Sequence, residues 1–525
     1  MSQSVISEEL LRRFDVAGPR YTSYPTADRF GSQFQSNDYI NALRSCRGGS
    51  MSAPLSLYAH IPFCASLCYY CACHKIVTKH HERARQYLDY LKLELDLVAD
   101  ILGPGRVVSQ LHLGGGTPTF LHDDELVEWM DHVRSHFTLM PHGEFAVEVD
   151  PRTVSPKRLR ALRDMGINRL SFGVQDFDPD VQAAVHRVQS EEKVFALVEH
   201  ARELGFESIN IDLIYGLPKQ TPQTFVKTLE RVQALRPDRI AVYGYAHLPQ
   251  RFKPQRRISI GDMPLAADKL QMLAIALQML GDVGYEYIGM DHFALPDDAL
   301  AIAKRQGRLH RNFQGYTTQP DSDLIAVGVS AIGRIGPTYN QNVKALDHYY
   351  ALLDQHQLPV ERGLSLTRDD MIRRAAIAAI MCAGQLLFVP FGQAWLIDVK
   401  KYFAIEIAQL SGLQQDAPAD YFKSIKPEQA KTIKKIFGAI QTKFPKLELV
   451  IAWNQPMLKD GAEYIFGVSA ASNHILLAPW NQDVLKEFAP EFAEHRVNKK
   501  TIALPNDWPV NEKLLQKMAK ASLQK

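Results

Sequence analysis

From residue 55 to about 290, short apolar runs alternate with longer segments whose apolar residues recur three and four positions apart. The short runs, at 55–61, 107–113, 145–149, 169–174, 208–214 and 239–245, read as six strands. The segments between them, at 81–101, 124–137, 191–204 and 222–235, read as amphipathic helices. Strands joined through helices pair in parallel, so the pattern predicts an α/β fold and leaves a doubly wound sheet and a partial barrel both open. Polar and glycine residues gather at or near the carboxyl end of each strand. Cysteines follow the first and Gly114, Gly115 and Gly116 the second; Glu148, Gln175, Asp212 and His247 mark the others. Parallel α/β folds keep their chemistry at that rim.

Composition narrows the partners. The 525 residues carry 60 basic and 58 acidic side chains, a formal charge of +2, with 46% hydrophobic residues. Such a chain is globular, and its field is too weak to draw it to nucleic acid or anionic lipid, so a small substrate is expected and nucleic acid is not. The uncharged run at 375–397 is long enough to span a membrane, but Gly384, Gln385, Pro390, Gly392 and Gln393 interrupt it. A buried helix and turn is expected there, and no membrane span. The amino terminus has no apolar export signal, so a cytoplasmic protein is expected. Residues 1–416 hold 31 Arg and 13 Lys, whereas 417–525 hold 1 Arg and 15 Lys, which marks a separate module at the end.

Cys64, Cys68 and Cys71 form CxxxCxxC, with Cys73 close behind and Cys46 and Cys382 isolated. This uneven spacing predicts a metal or redox site in a reducing cytosol and argues against a disulfide framework. Three thiolates so spaced hold three corners of a four-iron cluster and leave the fourth iron open. The rival, structural zinc, takes four closed ligands; Cys73 as the fourth would form a tight CxC with Cys71, and the cluster is favoured. The glycine triplet lets backbone approach a ligand closely, and Thr117 adds a hydroxyl. Glu148 and Asp212 suit ribose hydroxyls or an ammonium, and Arg187 suits a carboxylate.

These residues sit in longer motifs: PRYTSYPT at 19–26, SLYAHIPFCASLCYYCAC from Ser56, HLGGGTPT from His112 and EVDPR from Glu148. GVQDF from Gly173, NIDLIYGLPKQT from Asn210, YAHLP from Tyr245, GMDHFA from Gly289 and HRNFQGYTTQ from His310 continue the set. Over about residues 8–388 the chain thereby resembles the oxygen-independent coproporphyrinogen III oxidases of the radical S-adenosylmethionine (SAM) enzymes. The resemblance implies a partial (β/α)6 barrel with an N-terminal arm, and a 4Fe-4S cluster on Cys64, Cys68 and Cys71. It also implies two SAM molecules, one on the cluster and one beside it. Their implied contacts are Tyr58, Tyr70, Gly114, Gly115, Gly116, Thr117, Glu148, Gln175, Arg187, Asp212, Ala246 and Ile332. Catalytic roles are implied for Tyr21, His60 and Cys73, the last needed for activity without being a ligand.

The implied reaction takes an electron from a low-potential donor such as flavodoxin or ferredoxin and cleaves SAM to methionine and a 5′-deoxyadenosyl radical. Two propionates of coproporphyrinogen III each lose a hydrogen atom, carbon dioxide and one further electron to become vinyl groups, giving protoporphyrinogen IX. A monomer is expected. Related haem chaperones and radical-type haem-degrading methyltransferases are alternatives, as is an iron- or haem-binding protein without turnover. The PRYTSYPT arm and Cys73 argue against the chaperones.

The domains expected are 1–54, an arm with helices; 55–360, the radical SAM catalytic domain; 361–416, a partial helical, winged-helix-like domain; and 417–525. The last resembles the functionally unassigned YdhG-like α/β domains of frataxin-like fold, through AWNQPMLKDG, YIFGVSAASNHILLAP and NKKTIALP.

Overall fold

A computed structural model of the chain describes residues 24–46, 53–312, 315–319, 322–408, 421–422, 425–452, 455–461, 463–471, 473–498 and 500–524. One compact unit ends at Leu386 and another begins at Leu387. In the first, the expected strands are β1 (Leu55–Ile61), β2 (Arg106–Gly115), β3 (Phe137–Val149), β4 (Arg169–Gln175), β5 (Ser208–Tyr215) and β6 (Arg239–Gly244). They pair in parallel in chain order from β1 to β6. A doubly wound sheet reverses its strand order at a switch point. This order never reverses, so the arrangement is the partial barrel. Leu324–Val327 lies parallel beside β1, antiparallel strands extend both edges, and the whole forms one twelve-stranded sheet.

Alternation along each strand decides what faces the site. In β4, Leu170, Phe172 and Val174 enter the apolar core, leaving Arg169, Ser171, Gly173 and Gln175 on the other face. In β5, Ile209, Ile211 and Leu213 are core, opposite Asn210 and Asp212. In β3, Phe145, Val147 and Val149 are core, opposite Glu144 and Glu148. The core is closed by helices such as α1 (Glu82–Leu102) and α2 (Asp123–His136). α1 buries Leu88, Leu91, Leu95, Val98 and Leu102 along one stripe, and α2 buries Leu126, Trp129, Met130 and Val133.

A buried acid ties α1 to the site. Glu94 accepts hydrogen bonds from Tyr349 Oη at 2.5 Å, Gly328 N at 2.7 Å and Asn342 Nδ2 at 2.6 Å. Beside it, Tyr87 Oη donates to the His60 carbonyl at 2.8 Å and accepts from Val329 N at 3.0 Å, fixing the end of β1. Burial outweighs these donors and lifts the Glu94 carboxyl from 4.5 to about 7. The folded state therefore holds this proton more tightly than the unfolded chain. The resulting stabilisation is complete below about pH 4.5 and is lost as pH rises through about 7, a change on the order of 3 kcal/mol. In urea unfolding at about pH 5 and about pH 8, Glu94→Gln is expected to flatten this dependence; an unchanged slope would assign it to another group.

The run at 375–397 departs from expectation. It comprises the end of helix Arg368–Ala383, a turn at Gly384 (φ +70°) and helix Phe388–Trp395. It is only partly buried: Ala376 and Cys382 are buried, whereas Ile380, Leu387, Val389 and Leu396 are exposed and Phe388–Trp395 buries none of its residues. No helix among the described residues is long and apolar enough to cross a membrane. Beyond it the chain is helical at Val399–Tyr402 and again over 404–408, while 409–420 lie outside the described residues.

Further along, a six-stranded antiparallel sheet is formed by Glu448–Ala452, Gln455–Asp460, Glu463–Ala470, Ile475–Pro479, Arg496–Val497 and Ile502–Leu504. Helices Pro427–Lys443, Gln482–Phe488 and Glu512–Gln524 accompany it. Ile433, Ile436, Phe437 and Ile440 join Phe466, Val468, Leu515 and Met518 in a core of its own.

Candidate active site

The cysteine loop is a noose drawn shut at its base. Past β1, Phe63–Cys64 pairs in parallel with Ile76–Val77, Ile76 N donates to Pro62 O at 2.7 Å and Thr78 N to Cys64 O at 3.0 Å. Phe63 anchors it, fully buried against the Tyr87 and Phe120 rings. Cys64, Cys68, Cys71 and Cys73 all face one cavity of about 260 Å³.

Positive and hydrogen-bonding groups surround the sulfurs. Arg187 Nη1 lies 3.4 Å and Arg152 Nη2 3.5 Å from Cys68 Sγ, while Thr117 Oγ1 donates to Cys64 Sγ at 3.5 Å. Lys75 Nζ donates to the Cys71 carbonyl at 2.8 Å. Burial pushes the Cys64 thiol up to about 11; a hydrogen bond from Cys73 draws Cys71 down, and the same bond holds Cys73 protonated. Tetrahedral zinc with bonds near 2.3 Å brings its sulfurs within about 3.8 Å of one another. Among the described residues the cysteines form no set of three donor atoms within 4.8 Å. Three wide-set thiols ringed by cationic donors fit an anionic iron–sulfur cluster instead.

The SAM contacts expected from sequence gather round the same cavity: Tyr70, Gly115, Gly116, Thr117, Glu148, Gln175, Arg187 and Asp212 all line it. Close approach explains the glycines. A Cβ on Gly115 (φ +116°) would lie 2.6 Å from the His60 ring, one on Gly116 2.6 Å from Pro62 backbone, and one on Gly114 2.9 Å from Glu148 Oε1. Glu148 accepts from Gly115 N at 3.0 Å and pairs with His112 Nε2 at 3.2 Å. Burial pushes its carboxyl up, but His112 and Gly115 outweigh that and hold it below its ordinary value. Asp212, pushed up to about 6 by burial, accepts from Ser171 Oγ and Asn210 Nδ2, both at 2.9 Å. Gln175 adopts a left-handed backbone (φ +73°), and its Oε1 is buried without a partner. An orphaned acceptor in a polar cavity fits a ligand with hydrogen-bond donors, as SAM has.

A neighbouring cavity of about 320 Å³ is lined by Tyr58, His60, His74 and Ile332, and it shares Cys73, Gly115 and Glu148 with the first. His60 Nδ1 meets Tyr58 Oη at 3.0 Å and Nε2 meets the His74 carbonyl at 3.1 Å. Burial lowers its pKa to about 4. Ala246 lines neither cavity; its carbonyl, with that of Tyr70, accepts from the buried Gln255 amide at 3.2 and 3.0 Å. Tyr21 lies outside the described residues.

Sequence reasoning missed Asp150, Arg152, His112 and Gln255. Asp150 receives Arg152 Nη2 at 2.7 Å and Arg187 Nη1 at 3.2 Å, which holds both guanidiniums against Cys68. Strand parity was the available signal, since Asp150 lies two beyond Glu148 and His112 two before Gly114.

The chain matches the Radical SAM superfamily over residues 58–232. It is 50% identical to the oxygen-independent coproporphyrinogen III oxidase of Pseudomonas aeruginosa over 398 residues, 75% of this chain and 86% of that one. The solved coproporphyrinogen III oxidase (HemN) of Escherichia coli, described as a radical SAM enzyme, superposes with a TM-score of 0.74. It is 49% identical and covers 78% of this chain and 91% of its own. A Bacillus subtilis protein of the DUF1801 family (YdhG) matches 21% of this chain and 90% of its own, at 26% identity and a TM-score of 0.20. At that identity and coverage, this chain belongs to the oxygen-independent coproporphyrinogen III oxidase family.

Proposed function

We propose that the protein converts two propionates of coproporphyrinogen III to vinyl groups without oxygen, giving protoporphyrinogen IX. The observation that carries this reading is the three-cysteine noose facing a cavity that Glu148, Gln175, Arg187 and Asp212 also line. When bound, the cluster and SAM supply the one-electron chemistry that removes a hydrogen atom from the propionate. Cys64, Cys68 and Cys71 hold the cluster with one iron open. Arg187, already aimed at the sulfur side of the cavity, takes the SAM carboxylate, and Glu148 and Asp212 accept its hydroxyl or ammonium donors. His60, neutral and bonded at both ring nitrogens, positions Tyr58 and the Cys73–His74 segment rather than moving a proton. Cys73, facing both cavities, keeps its thiol protonated toward Cys71 and serves turnover without ligating iron. Tyr21 belongs to an arm that contacts substrate. The decisive experiment is anaerobic incubation of cluster-loaded protein with coproporphyrinogen, SAM and a reduced flavodoxin or ferredoxin; unchanged substrate overturns the proposal.

Two SAM molecules bind per chain. Two adjoining cavities sharing one wall support this, with Tyr58 and Ile332 lining only the second. Equilibrium dialysis of cluster-loaded protein is expected to saturate at two; saturation at one overturns it. The protein acts as a cytoplasmic monomer, and the free state of its cysteines suits a reducing compartment.

Residues 1–54 form the arm with its helices, 55–360 the catalytic domain, 361–416 a partial winged-helix-like domain and 417–525 a YdhG-like domain. The self-contained core of the final sheet supports the last assignment. Deleting 420–525 is expected to leave iron content unchanged, because every proposed ligand precedes it; loss of iron makes the tail part of the catalytic fold.

A further inference from the structure

Away from the cysteine noose, three metal-ligating side chains converge between α1 and α2. His132 and His136 are four residues apart on α2, so both imidazoles leave the same helix face. Asp96, on α1, faces them: its Oδ1 lies 2.9 Å from His132 Nε2 and 2.7 Å from His136 Nε2. The donor atoms all lie within 4.8 Å of one another, the only such set of three among the described residues.

We propose that Asp96, His132 and His136 bind a divalent late first-row cation, with zinc its best-suited occupant. Two imidazoles and a carboxylate are borderline ligands of the kind zinc takes, and the fourth position is left to water. Bonds near 2.0–2.1 Å place tetrahedral ligand atoms about 3.3 Å apart. The two nitrogens therefore have to move from Asp96 by about half an ångström. The side chains are free to do so, at 41, 22 and 25% exposed for Asp96, His132 and His136. The nearest lysine does not compete: Lys92, one turn before Asp96, is paired with Asp89 and Glu128.

The site joins two helices with a shared relation to the active site. α1 begins just past the cysteine noose and α2 just past the glycine turn. A bound cation cross-links them near Phe137, where β3 begins, at the end of the strands opposite the noose. The cation site needs these residues alone, whichever reaction the noose supports.

Untagged, cluster-loaded full-length protein is dialysed anaerobically against micromolar zinc, with zinc and iron measured in the same samples. One zinc per chain is expected with iron unchanged, together with a rise in the thermal midpoint. H132Q/H136Q is expected to lose that equivalent and its thermal response while keeping its iron. The milder Asp96→Asn is expected to weaken binding at least about tenfold. Zinc uptake that persists in the double variant, uptake matched by loss of iron, or no uptake by the unaltered protein each overturns the proposal.

Discussion

Replacing Cys64, Cys68 or Cys71 with alanine is expected to remove iron, visible absorbance and activity together, whereas Cys73→Ala keeps the iron and loses activity. The first three supply all the protein thiolates of an open-iron site, and Cys73, the one other described cysteine facing that cavity, is engaged with Cys71. The noose itself should survive, since Phe63 and the backbone pairing of Phe63–Cys64 with Ile76–Val77 do not depend on the sulfurs. Cys73 stands apart because its thiol hydrogen serves Cys71 and its side chain also walls the second cavity. Iron and sulfide assays on each reconstituted variant, with turnover measured beside them, check the assignment. Iron retained without Cys68, or lost without Cys73, reverses the ligand set.

The barrel was legible because its strands are apolar runs with one side chain per pleat facing the lumen. Glu148, Gln175 and Asp212 stood out as polar residues where the alternation predicted a shared face. What stayed hidden depends on chain reversals that periodicity does not record. Arg152 folds back so that its own backbone N–H and guanidinium both reach Asp150, a turn with no apolar pattern. Gln255 ties the Tyr70 and Ala246 carbonyls from a 3-10 turn remote from Tyr70 in the chain. His132 and His136 announce a helix face, but their partner Asp96 becomes visible only once α1 lies against α2. The helix Phe388–Trp395 misled in the opposite direction: an uncharged apolar run reads as core, yet none of its eight residues is buried.

Arg187→Ala is expected to weaken SAM binding about tenfold to a hundredfold and to destabilise the fold, with the cluster retained. Arg187 is only 7% exposed, and its bonds use four of its five N–H groups, the fifth, on Nη2, being the one that serves the carboxylate. Nη1 donates to Asp150 Oδ2 at 3.2 Å and Cys68 Sγ at 3.4 Å; Nε and Nη2 donate to the Gly173 carbonyl at 3.2 and 2.5 Å. Truncation leaves the carbonyl without that partner and Asp150 with Arg152 as its remaining cation. Breaking a buried pair costs about 3–5 kcal/mol, enough to lower the thermal midpoint by roughly 3–6 °C in a chain of this size. A charge-assisted bond to the SAM carboxylate is worth about 1.5–3 kcal/mol, which sets the loss of affinity. Gln175→Ala separates the two effects. Its buried Oε1 has no partner to lose, so affinity should fall while the thermal midpoint barely moves. Dialysis with labelled SAM, iron assay and thermal melts on both variants read all three quantities. If Arg187→Ala binds SAM as tightly as the unaltered protein, the guanidinium is a structural tie between the ends of β3 and β4, and the carboxylate must be held by another cation on that wall, with Arg152 the nearest to Cys68.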